Sequence, residues 1–431
     1  MTGARTASGW GLLLVLSLYL AVFAYAAARA TVLAPYADMF DWIARYYRLQ
    51  ADGDWGAYLL APHNYHRLVV TLGVLVADIR LFGGQGYLFV AVGLACLLGA
   101  AALLAREAVA AAPTGLKRAA GAMALMLALT TVNAFDAVTA INTTYVHGLV
   151  FSVAAIVLAE PGQGGAPNIR ARFLGLACVV LAAFGNAVGL VALPVLALAA
   201  ARRGEWRWLA VVLAAGAVII GLYALGQPAL SGGERGLGDL WRAAHLTLSY
   251  LDLPWSAAAT AAGWLIGLVF AAASALALVF RGGREASRAE RVAVMLILFS
   301  LGTAAMVALG RAQASAPSEA PVRYSVLLLP MHVGLLILAL PTLARLGAGR
   351  AGLGAVAAAG LLLAQQLLSL SPVLDASARV RQAKADFAAG QRRPEMLQII
   401  HPDLAAAEEI SARMRRDGLY QREVFAPPPS R

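Results

Sequence analysis

Two aspartates at the start of a polar stretch could do acid–base chemistry. Asp38 and Asp41 are three residues apart, so on a helix they would share one face. A carboxylate in such a place can act as a general base that takes the proton from an attacking hydroxyl group. The alternative is a helix start, with Asp38 as the N-cap and Asp41 in the first turn, paired with Arg45. The spacing alone leaves both interpretations open.

A basic cluster follows in "HNYHRL", residues 63–68. On a helix, His63, His66 and Arg67 would share a face, where they could bind a phosphate group or anchor the chain at a membrane interface. Two histidines three residues apart could also form half of a metal site. No clear third ligand accompanies them in the sequence, so we predict neither a metal ion nor another cofactor.

The elements that position these residues are those of a membrane protein. The chain has 431 residues, 61% of them apolar and 13% charged, whereas soluble domains are roughly half apolar and a quarter charged. Apolar runs of about 20 residues, long enough to cross a bilayer, recur along the chain. We predict an all-α polytopic membrane protein with about eleven transmembrane helices, near residues 10–29, 86–105, 119–136, 145–159, 173–184, 187–201, 208–226, 256–280, 292–310, 324–344 and 351–370.

The basic residues of the loops predict the orientation. With a cytoplasmic amino terminus and no crossing at residues 67–84, most loop arginines face the cytoplasm, as the positive-inside rule requires. A crossing at 67–84 would move every later loop to the other side. We therefore predict that 67–84 is a helix lying at the outer interface. The net charge of +11 is explained by these loops, so nucleic acid is not a predicted partner.

This topology puts several polar loops on one outer face. Ionisable groups are costly at membrane depth and usually serve a site or a pathway. Besides the first loop, the candidates for substrate or phosphate binding are Asp136, Arg311, Arg323 and Tyr324. The other polar residues on this face are Asn64, Asn133, Asn142, His147, Asn186, Glu234, Arg235, Asp239, Arg242, His245, Asp252 and Glu319. Their convergence predicts a site at the outer boundary of the membrane.

The chain is predicted to have two parts. Residues 1–370 form a transmembrane domain, whose outer loop 30–85 contains amphipathic interfacial helices. Residues 371–431 form a small, outward-facing helical tail that leans on the membrane part. The tail has a helical run at 393–418 and ends in "APPPSR", which is predicted to be disordered.

The first loop contains, in order, "DMFD" (38–41), "WIARYYRLQA" (42–51), "GDW" (53–55) and "HRLVVTLGVLVADIRLFGG" (66–84). This order resembles the first loop of the GT-C superfamily of membrane glycosyltransferases, in the branch of the aminoarabinose transferases and protein O-mannosyltransferases. There, an acidic motif precedes an amphipathic helix, a G-D-W turn and an interfacial helix that ends in L-F-G. The family's Asp-Glu pair is replaced here by Asp-Met-Phe-Asp, and its Lys-Pro-Pro stretch by "HNYHR".

The resemblance implies transfer of a sugar from a polyprenyl-phosphate donor to a glycan, lipid or protein acceptor of the cell envelope. The catalytic base of the family corresponds to Asp38, with Asp41 as the alternative. Arg67, Arg311 and Arg323 would stabilise the departing phosphate. The expected location is a bacterial inner membrane, with the amino terminus cytoplasmic, the tail periplasmic, and membrane lipid around the spans.

Other functions are compatible with the sequence. A flippase or transporter of lipid-linked sugars should have charges in the middle of its spans and two related halves. An O-antigen polymerase or ligase would use a long late outer loop, and residues 227–255 are long enough to form one. A membrane scaffold without activity is the remaining alternative.

Overall fold

The computed structural model describes residues 2–63, 66–161, 168–226, 236–253, 255, 263–281, 286–312 and 322–420. Some predicted features lie outside these residues. They are Asn64, Glu234, Arg235 and Glu319, the beginning of the span 256–280, and the disordered end at 426–431.

The described residues form α-helices joined by short turns and 3₁₀ segments, with two isolated β-bridges. The helices are α1 (Thr2–Ala30), α2 (Met39–Asp52), α3 (Trp55–Leu60), α4 (Val69–Phe82), α5 (Tyr87–Ala111), α6 (Lys117–Ala128), α7 (Thr131–Val138), α8 (Thr143–Ala159), α9 (Ile169–Gly185), α10 (Ala192–Arg202), α11 (Trp206–Ala224), α12 (Leu237–Leu251), α13 (Gly263–Arg281), α14 (Arg288–Arg311), α15 (Leu329–Arg345), α16 (Ala348–Leu368), α17 (Leu370–Ala388), α18 (Met396–Ile399) and α19 (Leu404–Arg416). The 3₁₀ segments are Thr114–Leu116, Ala187–Val191 and Val322–Leu328.

Length and apolar composition identify the membrane-spanning helices. Within the described ranges, six helices are long and apolar enough to cross a bilayer, and a bent pair makes a seventh if it is one span. Three shorter apolar helices are Thr143–Ala159, Ala187–Arg202 and Trp264–Val279. The prediction of an all-α, multi-pass membrane protein is confirmed, while the count of eleven spans stays a prediction.

The bent pair lies where the sequence predicted one straight span, 119–136. Segments Thr114–Ala128 and Thr131–Val138 meet at 58°. Gln366 of α16 satisfies the interrupted backbone, because its side chain accepts from the Thr131 amide at 2.6 Å and donates to the Leu129 carbonyl at 3.2 Å. A helix break inside a membrane protein is tolerated when a neighbour supplies such hydrogen bonds.

The first loop begins and ends at the same end of the helix bundle. A Cβ atom on Gly86, just before α5, would clash with the backbone carbonyl of Leu33, just after α1. Val32 also forms a β-bridge with Thr139, which follows α7. Since the chain returns to where it left, residues 34–85 make no net crossing, as predicted for 67–84. This end of the bundle, which bears α2, α3 and α4, is called the site end below.

The three loop helices form an apolar layer of their own at the site end. Helix α2 is amphipathic, and its apolar face packs with α4 in a cluster that contains Trp42, Ile43, Leu72 and Leu75. The one buried acid of α4, Asp78, accepts hydrogen bonds from the Gly86 and Leu88 amides at 2.8 and 3.1 Å. The carboxylate therefore caps the first turn of α5, which explains an acid in an otherwise apolar helix.

The C-terminal segment, residues 370–420, packs on this layer. Helix α17 contacts α1 and α7, and α19 contacts α2. At its end, the Tyr420 amide donates to the Gly84 carbonyl at 2.9 Å. The predicted helical run 393–418 is divided into α18 and α19, because Pro402 cannot continue a helix and restricts the residue before it.

Buried acids join the arginines of different loops at the opposite end of the bundle. Glu160 and Glu107 are almost fully buried, so each needs a positively charged partner. The ion pairs are Glu107–Arg288, Glu160–Arg203, Glu160–Arg291, Glu205–Arg172 and Glu205–Arg203. The arginines that predicted a cytoplasmic side therefore also connect helices there.

We expect both ends of the α2–α4 layer to be accessible from one side of the membrane. In a background without Cys96 and Cys178, Ala51→Cys and Gln85→Cys should react with an impermeant maleimide in the same orientation of sealed vesicles. Lys117→Cys, which is exposed at the other end of α5, should react only in the opposite orientation. Reaction of positions 51 and 85 from opposite sides would mean that α4 crosses.

Candidate active site

Asp38 pairs with His63 instead of capping α2. Its side chain makes no capping hydrogen bond, and its Oδ2 atom lies 3.1 Å from His63 Nε2. Burial raises the pKa of Asp38, but the hydrogen bond from His63 and the positive charge of Arg323 outweigh it, so the pKa lies below its ordinary value. The capping interpretation is therefore wrong for Asp38, which is an ionised, half-buried carboxylate at neutral pH.

Asp41 lies in the first turn of α2 with half of its side chain exposed. Its Oδ1 atom is 3.3 Å from Nε2 of His401, which comes from the C-terminal segment. The predicted partner, Arg45, instead donates to the carbonyls of Ala61 and Pro62 at 2.8 and 3.1 Å. Arg45 thus fixes the turn before His63, and an imidazole faces Asp41 in its place.

His63, His66 and Arg67 do not share a helical face, and that prediction is wrong. His63 and His66 exchange two backbone hydrogen bonds, at 2.8 and 2.9 Å, which close a tight turn ahead of α4. The turn directs the His63 ring toward Asp38. His66 instead accepts a hydrogen bond at Nδ1 from the Ala187 amide at 3.3 Å. Burial lowers the pKa of His66 to about 4, so His66 is a neutral hydrogen-bond donor and no cation at neutral pH.

Arg67 holds the end of α11. It is buried, and its Nη2 atom donates to the carbonyl of Tyr223 at 3.3 Å and to that of Leu225. A cation near the last carbonyls of a helix is well placed for the helix dipole. The Nη2 atom of Arg67 is therefore already bonded to protein carbonyls. The predicted contact of Arg67 with a phosphate group stays a prediction.

Two arginines and three tyrosines form a second cluster at the site end. Tyr324, at the start of the segment Val322–Leu328, packs edge-on against Tyr145 and Tyr250, with ring centroids 4.9 and 5.5 Å apart. The guanidinium carbons of Arg311 and Arg323 lie 5.3 and 5.8 Å from the Tyr324 ring centroid. Arg311 also donates to the Tyr324 hydroxyl at 3.3 Å. Arg323 likewise has hydrogen bonds to the Tyr324 and Tyr145 side chains. Each guanidinium is thus held by a ring and by hydroxyl groups, and its remaining N–H groups can donate to a ligand.

Asp136 lies near Arg323, and Tyr36 lies near Asp136, Arg323 and Asp38. Asp136 is buried on α7, interacts electrostatically with Arg323, and has an Oδ2 atom without a hydrogen-bond partner among the described residues. Tyr36 is also buried, within electrostatic range of Asp136, Arg323 and Asp38. The four groups are therefore neighbours, although they come from three separate parts of the chain.

The carboxylates and His63 are also the described residues that could hold a metal ion. One ligand atom each from Asp38, Asp41 and His63 lies within 4.8 Å of the others. The sequence had grouped His63 with His66 and had no third ligand, whereas the fold supplies two carboxylates instead. Each carboxylate also faces an imidazole, Asp38 that of His63 and Asp41 that of His401, so a protein group already contacts each of them.

The fold and the site define a multi-pass α-helical membrane protein with a polar site at one end of its helices. It is similar to crystal structures of ArnT from Cupriavidus metallidurans. The apo structure has 18% identity and a TM-score of 0.44, over 97% of this chain and 78% of that chain. The structure bound to undecaprenyl phosphate has 14% identity and a TM-score of 0.47, over 98% and 90%.

No protein-family model matches the chain, and neither does any curated protein sequence. At the low identities and modest TM-scores of the ArnT structures, the activity has to be argued from the chain's own residues.

Four residues of the site were missed by sequence reasoning. His401 lies in a tail that gave no sign of approaching the first loop. Tyr36 precedes the acidic motif and had no predicted role. Tyr145 begins a predicted span, where a tyrosine is commonplace at a membrane interface, and Tyr250 lies in the loop 227–255, where nothing in the sequence linked it to Tyr324. In the sequence, "HPD" interrupts a helical run at His401, which indicated a turn there. It did not indicate that His401 contacts Asp41.

Arg67 and Arg323 should differ in their effect on stability. Replacing Arg67 by Leu removes charged hydrogen bonds to buried carbonyls, each worth about 1.5–3 kcal/mol. Replacing Arg323 by Leu removes a cation–π contact with Tyr324, worth about 0.5–1 kcal/mol at an exposed site. Thermal unfolding in lipid nanodiscs should therefore show the larger fall in Tm for Arg67→Leu. A larger fall for Arg323→Leu would contradict these assignments.

Proposed function

We propose that this protein is a membrane glycosyltransferase that moves a sugar from a polyprenyl-phosphate donor to an envelope glycan, lipid or protein. It acts at the outer face of a bacterial inner membrane, with its amino terminus in the cytoplasm. The observation that best supports the proposal is that an ionised carboxylate, Asp38, lies within electrostatic range of Arg323, which with Arg311 surrounds the Tyr324 ring. Glycosyl transfer from a phosphate needs both a proton acceptor and a cation for the leaving group.

Asp38 acts as the general base. The acceptor hydroxyl oxygen attacks the anomeric carbon, the bond from that carbon to the phosphate oxygen breaks, and the hydroxyl proton passes to Asp38. The low pKa of Asp38 makes it a weak base. A weak base suffices, because the transition states of glycosyl transfer resemble an oxocarbenium ion, in which bond breaking leads.

Arg311 and Arg323 bind the departing phosphate. Both guanidinium groups are positioned over Tyr324, so little side-chain freedom is lost when an anion arrives. His66 adds a neutral N–H donor at Nε2, and Asp136 Oδ2 can accept from a sugar or acceptor hydroxyl. A lipid-linked donor suits a site at the helix ends, since its phosphate lies at the interface while its chain stays in the bilayer.

The positions of the charges favour transfer over transport. Asp136, Arg311 and Arg323 lie near helix termini at the site end, whereas a transporter should bind its substrate near the middle of the bilayer. The polymerase or ligase alternative has one supporting contact, because Tyr250, from the loop 227–255, packs on Tyr324. Product analysis separates the two functions, since a polymerase adds many repeat units and a simple transferase adds one sugar.

Asp38→Asn should lower the rate of transfer by about 10²–10⁴-fold, because the amide cannot accept the hydroxyl proton. The assay uses purified protein in lipid vesicles, a panel of radiolabelled polyprenyl-phosphate sugars and envelope extract as acceptor. Asp41→Asn should cost less, and Asp52→Asn, an exposed acid at the end of α2, should cost nothing. Equal rates in the wild type and Asp38→Asn, with lipid binding intact in both, would remove Asp38 from the mechanism.

Transfer should continue after treatment with a strong chelator. Asp38 and Asp41 each have an imidazole partner, and the arginines supply the positive charge for the phosphate. We expect the rate in EDTA to equal the untreated rate, with or without added Mn²⁺ or Mg²⁺. Loss of transfer that either cation restores would instead assign a metal to Asp38, Asp41 and His63.

A further inference from the structure

The C-terminal segment holds the turn of chain that presents Asp38. The Ala37 amide donates to the Ile400 carbonyl at 2.5 Å. Ala37 has a φ of 49°, a left-handed conformation that residues other than glycine rarely adopt. Phe40 packs against Phe387 and His401, with ring centroids 6.4 and 6.1 Å apart. Backbone and side-chain contacts thus come from the same segment on both sides of Asp38.

His401 itself is fixed in place. It is buried, its Nδ1 atom lies 2.7 Å from the Asp403 carbonyl oxygen and 3.1 Å from the Asp403 amide, and Pro402 restricts its backbone. Its Nε2 atom faces Asp41 Oδ1 at 3.3 Å. An ionised carboxylate only accepts hydrogen bonds, so Nε2 must bear the hydrogen and donate it.

The two acids of the first loop thus face two different imidazoles. Asp38 is paired with His63 and Asp41 with His401. Without His401, the Asp41 carboxylate would lose its donor and be free to turn toward His63, which lies within 4.8 Å of it. Asp41 would then compete with Asp38 for the contact with His63.

We propose that His401 is a positioning residue of the active site, which keeps Asp41 away from the Asp38–His63 pair and, with the Ile400 carbonyl, fixes the turn that presents Asp38. This inference rests on the proposed transfer activity for its kinetic consequences. His401 acts through Asp41 and the turn, and it does not touch the reacting atoms. The C-terminal segment is therefore a part of the catalytic site.

The kinetic test compares His401→Leu, His401→Gln and His245→Leu. Leucine lacks the donor, glutamine keeps an N–H group at a similar reach, and His245 is an exposed histidine on α12 that serves as the control. We expect His401→Leu to lower kcat about 10- to 100-fold, as a misplaced catalytic group does, with KM for the lipid donor within a factor of about three. His401→Gln should recover most of kcat, and His245→Leu should match the wild type. A wild-type kcat in His401→Leu, or glutamine as impaired as leucine, would overturn the proposal.

A second measurement does not depend on transfer. The Tm is measured for Asp41→Asn, for His401→Leu and for the variant with both changes, which with the wild type form a double-mutant cycle. A control cycle uses His245→Leu in place of His401→Leu. If Asp41 and His401 interact, the two changes in Tm are not additive, whereas those of Asp41 and His245 are. If the changes in Tm are additive in both cycles, the proposed role of His401 is wrong, even if the wild type has full transfer activity. Coupling without any transfer by the wild type would refute the proposed function and confirm the contact.

Discussion

The close approach of two backbone segments, at Leu33 and Gly86, determines where everything else in the site can lie. No side chain fits at Gly86, because the Leu33 carbonyl occupies the place of a Cβ atom. The loop that follows α1 therefore has its two ends side by side and must fold on one end of the bundle. Asp78 strengthens the closure by capping α5 with its carboxylate. Asp38 therefore lies within electrostatic range of Arg323, in the segment Val322–Leu328.

The basic residues at the site end have different physical tasks, although their charges are alike. Arg45 and Arg67 donate to backbone carbonyls and shape the chain. Arg311 and Arg323 lie against an aromatic ring and hydrogen-bond to tyrosine hydroxyls, which occupies only part of their five N–H groups. Burial keeps His66 neutral. Charge alone could not distinguish these roles, since they depend on what each side chain already bonds to.

Local properties of the sequence predicted much of the fold. Apolar length predicted an all-α, multi-pass membrane protein, the resemblance of the first loop predicted an amphipathic helix where α2 lies, and loop charge predicted that 67–84 makes no crossing. The failures concern contacts that close over long separations. The helix break before Thr131 depends on Gln366, 235 residues away. The turn at His63 depends on backbone hydrogen bonds, which the residue types there do not predict. The sequence therefore indicated which polar residues to consider, but not that Asp38 pairs with His63 or Asp41 with His401.

The contact between Asp41 and His401 also has a consequence for how the protein is made. The two residues are 360 positions apart, so at about 5–20 residues per second the ribosome finishes the second one roughly 20–70 s after the first. Until Ile400 and His401 have been made, Ala37 and Phe40 lack groups that contact them in the folded chain. The candidate site can thus be completed only after the last predicted span has been synthesised. The C-terminal segment is the last part of this site to be made, although Asp38 and Asp41 are among the first.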